Sequence, residues 1–205
     1  PPGIDTTIFS PAGKSSSKTD RYILLVGRLD DPRKRAGLLL EAYALLPNVL
    51  QSAVRLQLAG SGLPGSEFRR RVEELGLSGR VSHVLRPSLT ELVEFYRDAD
   101  VFALPSDEEG LGLVVLEAMA HAVPAIVSSE QYCGISAELT HLNNAWVLQD
   151  PLDASALEKA IEKSLESNSH EAMSQQAIAW AGTQDWHHLA LAQEALYYDV
   201  VRSKV

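Results

Sequence analysis

Thiols are almost absent from this 205-residue chain. Its one cysteine, Cys133, can form no internal disulfide and cannot build a zinc site with other thiolates. That usage is expected of a reducing compartment, so a cytoplasmic location follows as an expectation. Positive charge is also short, with 18 Lys and Arg against 27 Asp and Glu and a formal net charge of −9. The deficit argues against wrapping nucleic acid, which needs a basic face, and against docking on an anionic bilayer. Apolar runs are broken by Pro, His or charge well short of the ~18–20 residues of a membrane helix, so no direct membrane insertion is expected. H-E-x-x-H, C-x-x-C and Walker sequences are missing. So are internal repeats and low-complexity tracts, Ser15-Ser-Ser17 being only a short turn. The first residues do not read as a basic-then-apolar leader. They are Pro-Pro-Gly without Met, which suggests one domain of a longer protein.

What remains is ordinary globular composition, 45% hydrophobic and 22% charged, enough for one large domain with a full core. Apolar runs alternate with helical patterns. Strands are expected at Tyr22–Val26, Val54–Leu58, Val81–Leu85, Val101–Leu104, Pro124–Val127 and Ala145–Leu148. Helices are expected at Ala36–Leu46, Glu67–Leu75, Leu113–His121, Glu171–Ala181 and Trp186–Arg202. Two more are signalled by capping boxes at Ser88-x-x-Glu91, running to Arg97, and at Ser155-x-x-Glu158. This alternation predicts an α/β fold: a Rossmann-like, doubly wound, mostly parallel six-stranded sheet, helices on both faces and a helical C-terminal tail. Ligands of such sheets bind outside the carboxyl ends of the strands.

The loop Pro105-Ser-Asp-Glu-Glu-Gly-Leu-Gly112 is the richest at that end. Its glycines allow backbone amides near a ligand, and the helix that follows offers its positive N-terminal end to a phosphate. Glu109 and Glu117 bracket this turn. Like charge unfits them for phosphate, but both can accept hydrogen bonds from sugar or ribose hydroxyls. The alternative is that Glu109 only favours the helix dipole and Glu117 is solvated. If Glu117 is instead buried beside Leu113, Leu116 and Met119, it needs a partner. In the first loop, Gly27-Arg-Leu-Asp-Asp-Pro-Arg-Lys-Arg35, Arg28 and Lys34 either clamp a diphosphate or form a solvated turn neutralised by Asp30 and Asp31.

Other motifs are weaker. Gly60-Ser-Gly-Leu-Pro-Gly65 matches a dinucleotide fingerprint, but after the second strand, with Pro64 inside it and no acidic residue ending the next strand. Asp98-Ala-Asp100 resembles a metal-binding D-x-D but falls at the wrong end of the sheet, where local capping or pairing is expected. Cys133 lacks a base and reads as passive. Arg69-Arg-Arg71 reads as a solvated helix face, and the aromatics from Trp180 to Tyr198 as core or interface.

Taken together, these residues resemble the C-terminal, donor-binding domain of retaining glycosyltransferases of the GT-B fold. The resemblance covers nearly the whole chain: Pro2-Gly3-Ile4-Asp5, Gly27-Arg28 with Lys34, Phe102-Ala-Leu-Pro-Ser106, and Glu109-Gly-Leu-Gly-Leu-Val-Val-Leu-Glu117-Ala-Met-Ala with Pro124. It implies residues 1–20 as a hinge segment, 21–170 as a nucleotide-sugar-binding domain, and 171–205 as helices packing toward an N-terminal acceptor domain outside this chain. It implies that Gly27, Arg28 and Lys34 meet the donor diphosphate, and that amides of Gly110, Leu111, Gly112 and Leu113 contact phosphate and sugar. Glu109 would be the catalytic-site residue on the transferred sugar, Glu117 would hold the ribose, and backbone at Val84 to Arg86 would meet the base. No cofactor and no metal are implied.

Within the family, Ala44-Leu-Leu-Pro47, Cys133-Gly134 and Thr183-Gln-Asp185 are most similar to lipopolysaccharide-core glucosyltransferases that glucosylate heptose. That implies UDP-glucose as donor and a peripheral place at the inner face of the cytoplasmic membrane. Two departures stand out: Arg35 and His121-Ala122 replace the family's usual Gly and Cys-Gly or Ala-Gly. With the acceptor domain outside the chain, weak donor binding, little transfer and self-association through Leu189, Leu196 and Val200 are expected. The competing reading is a non-catalytic nucleotide-binding or scaffold module of the same fold, and a third is an NAD-dependent dehydrogenase resting on the Gly60 loop.

Overall fold

The structure is a computed structural model that describes residues 3–11 and 21–202. Pro2, the Ser15–Ser17 turn and residues 203–205 of the tail lie outside the described residues. Six strands form one sheet: β1 (Arg21–Arg28), β2 (Val54–Ser61), β3 (Val81–Leu85), β4 (Val101–Leu104), β5 (Ala125–Ser128) and β6 (Ala145–Leu148). Their order is β3-β2-β1-β4-β5-β6 and every pairing is parallel. The chain therefore reverses its direction of winding between β1 and β4, and the crevice at that switch opens at the carboxyl ends of these two neighbours.

The connecting helices are α1 (Ala36–Leu45), α2 (Asn48–Ala53), α3 (Ser66–Glu74), α4 (Leu89–Asp98), α5 (Leu113–Ala120), α6 (Ala154–Leu165), α7 (Ser167–Thr183) and α8 (Trp186–Arg202). Two cores result because alternate strand residues face opposite sides. Leu24, Val26, Phe102 and Leu104 join α5 and Tyr96 on one face; Ile23, Leu25, Val101 and Ala103 join α1 and α6 on the other. Double-sided burial explains the unbroken apolar runs of β1 and β4. Ala177 and Ala181 place α7 in the first core.

Several expected boundaries shift. α7 starts at Ser167 rather than Glu171. α6 is capped by Asp153, whose carboxylate accepts from the Ser155 and Ala156 amides at 2.9 and 3.0 Å, so Ser155-x-x-Glu158 is no capping box. The Ser88 box is present in both directions. Pro47 ends α1 but opens α2, whose Gln51 amide donates to the carbonyls of Ala44 and Leu46 at 2.7 and 2.9 Å. That bond satisfies the end of α1 and escaped the periodicity, because six residues are too few to show one. Among the described residues no helix is long and apolar enough to cross a membrane.

Residues 3–9 return to the far end of the chain. The Ile4 amide donates to Gln184 O and the Trp186 amide to Ile4 O, each at 2.9 Å, and the Thr6 hydroxyl donates to Asp185 at 2.6 Å. Phe9 then reaches Tyr96 and His121, with ring centroids 6.2 and 5.9 Å away. By contrast α8 buries no residue, and Leu191, Leu196, Tyr197, Tyr198 and Val201 are at least half exposed.

Candidate functional site

The β1–β4 switch brings together the two loops singled out in the sequence. A cleft of about 560 Å³ lies there, lined by Val26, Gly27, Arg28, Lys34, Gly60, Ser61, Glu109, Leu111, Gly112, Leu113 and Val114. Lys34 is not at the start of α1 but in a 3₁₀ turn, Pro32–Lys34, capped by Asp31, which accepts from the Arg33 amide at 3.1 Å. The turn swings Lys34 across the cleft, where its ammonium donates to the Glu109 carboxylate. Arg28 is paired with Asp31 in the same way. Hydrogen bonds from the Arg33 side chain, then burial-opposed attraction to Arg33 and Arg28, hold the Asp31 carboxyl well below its usual range. Each expected diphosphate cation therefore already has a carboxylate partner.

Glu109 is fixed through its backbone. Its amide donates to Tyr132 O at 2.7 Å and its carbonyl accepts from the Gly134 amide at 2.9 Å, a one-residue parallel bridge to Cys133. Gly112 then turns the chain into α5 at φ 62°, a left-handed conformation where a Cβ would also lie 2.9 Å from Ile135 Cγ2. No side chain caps α5. Its first amides and its positive dipole end are left for an anion.

Four predicted residues stand outside the cleft lining: Val84, Arg86, Gly110 and Glu117. Val84 and Arg86 lie beyond its Gly60 wall, on the exposed edge strand β3; the Arg86 amide is spent on Gly60 O at 2.6 Å. Glu117 sits one turn along α5 from Leu113 and Val114, on the face they present to the cleft. It is half-buried and does have a partner: the Tyr96 phenol donates to its Oε2 at 2.7 Å. Burial pushes the Glu117 carboxyl up, against the pull of that bond. Gly110 precedes the lining residue Leu111, and a Cβ added to it would meet nothing within 4 Å.

Gly60, Ser61 and Val114 were not among the predicted contacts. Gly60 has a physical reason unconnected with dinucleotides: at φ 142° it passes so close to β1 that a Cβ would fall 1.9 Å from Gly27 O. Asp100 sits at the opposite end of the sheet, accepting from the Tyr22 amide at 3.0 Å and facing Arg21, which accounts for the D-x-D locally. Cys133 is buried, and burial raises its thiol pKa. The two departures from the family pattern fall on left-handed backbone, Arg35 at φ 53° and Ala122 at φ 61°. These are positions where glycine costs least. Arg35 is held there by an ion pair with Asp107. A larger hollow of about 720 Å³ lies between α1 and α3, but its Arg70 and Arg71 are engaged by Glu74 and Glu41.

Residues 8–180 match the family described as glycosyl transferases group 1. The chain belongs to that family. Over 136 residues it is 36% identical to D-inositol 3-phosphate glycosyltransferase of Mycolicibacterium smegmatis, covering 62% of this chain and 31% of that protein. Sucrose-phosphate synthase from Thermosynechococcus elongatus superposes with a TM-score of 0.83 at 28% identity, over 99% of this chain and 52% of that one. WaaG, a glycosyltransferase involved in lipopolysaccharide biosynthesis, gives 0.74 at 27%, over 87% and 46%. The chain thus spans about a third of the curated relative and about half of each solved glycosyltransferase. Its Rossmann-like all-parallel sheet and C-terminal helix match those of its GT-B neighbours.

Proposed function

We propose that this chain is the donor-binding half of a retaining glycosyltransferase, taking UDP-glucose as donor and serving a lipopolysaccharide-core or similar glycan acceptor. The observation that carries the reading is the meeting of Arg28 and Lys34 with the uncapped N-terminus of α5 across one cleft, with the Glu109 carboxylate between them. A diphosphate entering there exchanges with the carboxylates: Arg28 and Lys34 turn to phosphate, and Glu109 becomes free to accept from a sugar hydroxyl. Fixed amides and cations at the leaving diphosphate stabilise the charge that develops as the glycosidic bond breaks. Glu117, a turn farther on, accepts from the ribose, and the β3 edge at Val84–Arg86 lies where the base extends. Glucose draws its support from the short sequence matches, and the lipopolysaccharide acceptor from those and from the likeness to WaaG.

Isothermal titration of the chain with UDP, UDP-glucose, GDP-mannose and NADH, with and without Mg²⁺, tests this. Metal-independent binding of UDP and UDP-glucose in preference to the others is the expected result. Selective NADH binding, or equal indifference to all four, overturns it. The same titration on a chain carrying the acceptor half should show tighter donor binding and measurable transfer.

A further inference from the structure

The Tyr96 hydroxyl has no role in packing. Its ring is fully buried on α4, stacked on His121 with centroids 5.8 Å apart and an interplanar angle of 24°, and flanked by Phe102 at 6.1 Å and Phe9 at 6.2 Å. A phenylalanine would satisfy all three neighbours. The hydroxyl's bond among the described residues is the 2.7 Å donation to Glu117 Oε2. A ring enclosed on three sides has one orientation, so this donor is fixed in place.

Glu117 needs such a donor. It is drawn partly out of water, and among the described residues no ion pair is formed by it. The groups facing it are Tyr96 from α4 and His121 from its own helix, and burial disfavours the charged form of both. The His121 Nδ1–H is spent on the Glu117 carbonyl at 2.9 Å, so it cannot serve the carboxylate. The Arg97 guanidinium is engaged by Asp98 at 3.0 Å. A half-buried carboxyl without a donor takes up a proton and loses acceptor capacity on one oxygen.

We infer that Tyr96 is a positioning residue of the donor site: its phenol holds Glu117 Oε2, keeping the carboxylate in its acceptor form and aiming Oε1 at the ribose hydroxyls of a nucleoside diphosphate. This rests on the assignment of Glu117 to the ribose. It also ties the lead-in segment to the site, since Phe9 forms one wall around the Tyr96 ring.

The test compares UDP with its 2′,3′-dideoxy analogue on three proteins: the natural chain, Tyr96→Phe and Glu117→Gln. The natural chain should prefer UDP. Tyr96→Phe should weaken UDP about tenfold, as expected for losing a hydrogen bond to a charged group, and leave the dideoxy analogue unchanged. Loss of affinity for both ligands alike in Tyr96→Phe marks a structural role and overturns the inference. If Glu117→Gln keeps the natural preference for UDP, the ribose assignment itself falls. If Glu117→Gln loses the preference while Tyr96→Phe keeps it, only the role of Tyr96 falls. Should Tyr96→Phe not fold, 3-fluorotyrosine at position 96 replaces it. That side chain keeps ring and hydroxyl but changes donor strength, so an unchanged UDP-to-dideoxy ratio overturns the inference.

Discussion

Gly134 and Gly110 face each other across the bridge that fixes Glu109, and alanine at each should fail differently. A Cβ at Gly134 would lie 2.1 Å from the Gly110 carbonyl oxygen, where real contacts begin at about 3.0 Å. The obstacle is backbone, so the two segments must part by roughly 1 Å. Overpacking of that kind costs about 1–3 kcal/mol. The parting also strains the Tyr132 and Gly134 bonds to Glu109, at about 0.5–1.5 kcal/mol each. A destabilisation of about 2–6 kcal/mol follows, or about 4–24 °C in Tm for a chain of this size. Because Glu109 rides on the bridge, UDP-glucose should lose its advantage over UDP as well. At Gly110 a Cβ meets nothing within 4 Å. Gly110→Ala should leave Tm within about 2 °C and act only on ligand binding, by filling space beside the α5 amides. Thermal melting and calorimetry of both variants decide the matter. A Gly134→Ala protein that melts like the natural chain, or a Gly110→Ala protein that melts far below it, refutes the reasoning.

The other predictions concern charge. Lys34→Ala should weaken UDP by about 10- to 100-fold in calorimetry, the range for losing one charge-assisted contact. Glu109→Gln releases Lys34 from its carboxylate partner, so UDP affinity should hold or rise while the preference for UDP-glucose over UDP disappears. The Glu117 carboxyl is raised by burial above its usual 4.5. The folded chain thus binds that proton more tightly than the unfolded one, and stability contributed by this group falls as pH rises through the window above 4.5. Glu117→Gln should therefore melt at or slightly above the natural chain at pH 7 while binding UDP more weakly. Asp185 is shifted the other way, from 3.8 to about 2, chiefly by the Thr6 hydroxyl bond. Its contribution is present above pH 3.8 and is lost as pH falls toward 2. Asp185→Asn should remove that acid limb and speed hydrogen exchange at residues 3–9. Light scattering at high concentration checks the exposed face of α8, for which self-association is the expected outcome.

The fold was legible because its signals are local and repeated. Apolar runs such as Ile23–Val26 are unbroken since both faces of β1 are buried, although β1 and β2 run on past them to Arg28 and Ser61. Their alternation with helices leaves a parallel sheet as the only simple closure. Misread elements were those whose cause is non-local or too short. α2 exists because Gln51 can close the carbonyls of α1. The cap of α6 moved because Asp153 precedes Ser155 and accepts from the Ser155 and Ala156 amides, which puts Ser155 inside the helix.

The site was legible at the level of residue type, not of pairing. Glu109, Lys34 and Gly112 line one cleft because the β1–β4 switch puts their loops side by side. The pairing of Arg28 with Asp31 is the neutralised turn that the first loop offered as its alternative, but nothing in the spacing could say that Lys34 closes on Glu109, a bond that crosses from one loop to another. The weak fingerprint of the Gly60 loop has local causes instead: Gly60 is required by the Gly27 carbonyl and Gly62 is crowded by Asp30, while Gly65 meets nothing. Tyr96 was hidden for a third reason. A buried carboxylate announces that a partner must exist but not which of the surrounding aromatics supplies it, and only the packing of α4 on α5 answers that. The pairings also change what binding must do. If the cations stood alone, a diphosphate would simply add to them. Since each already holds a carboxylate, binding is an exchange of one anion for another, and its net strength is a difference. Glu109 is released in that exchange, so the ligand that engages Lys34 is the same one that makes Glu109 available to a sugar. A single ion pair thereby couples recognition of the diphosphate to recognition of the group attached to it.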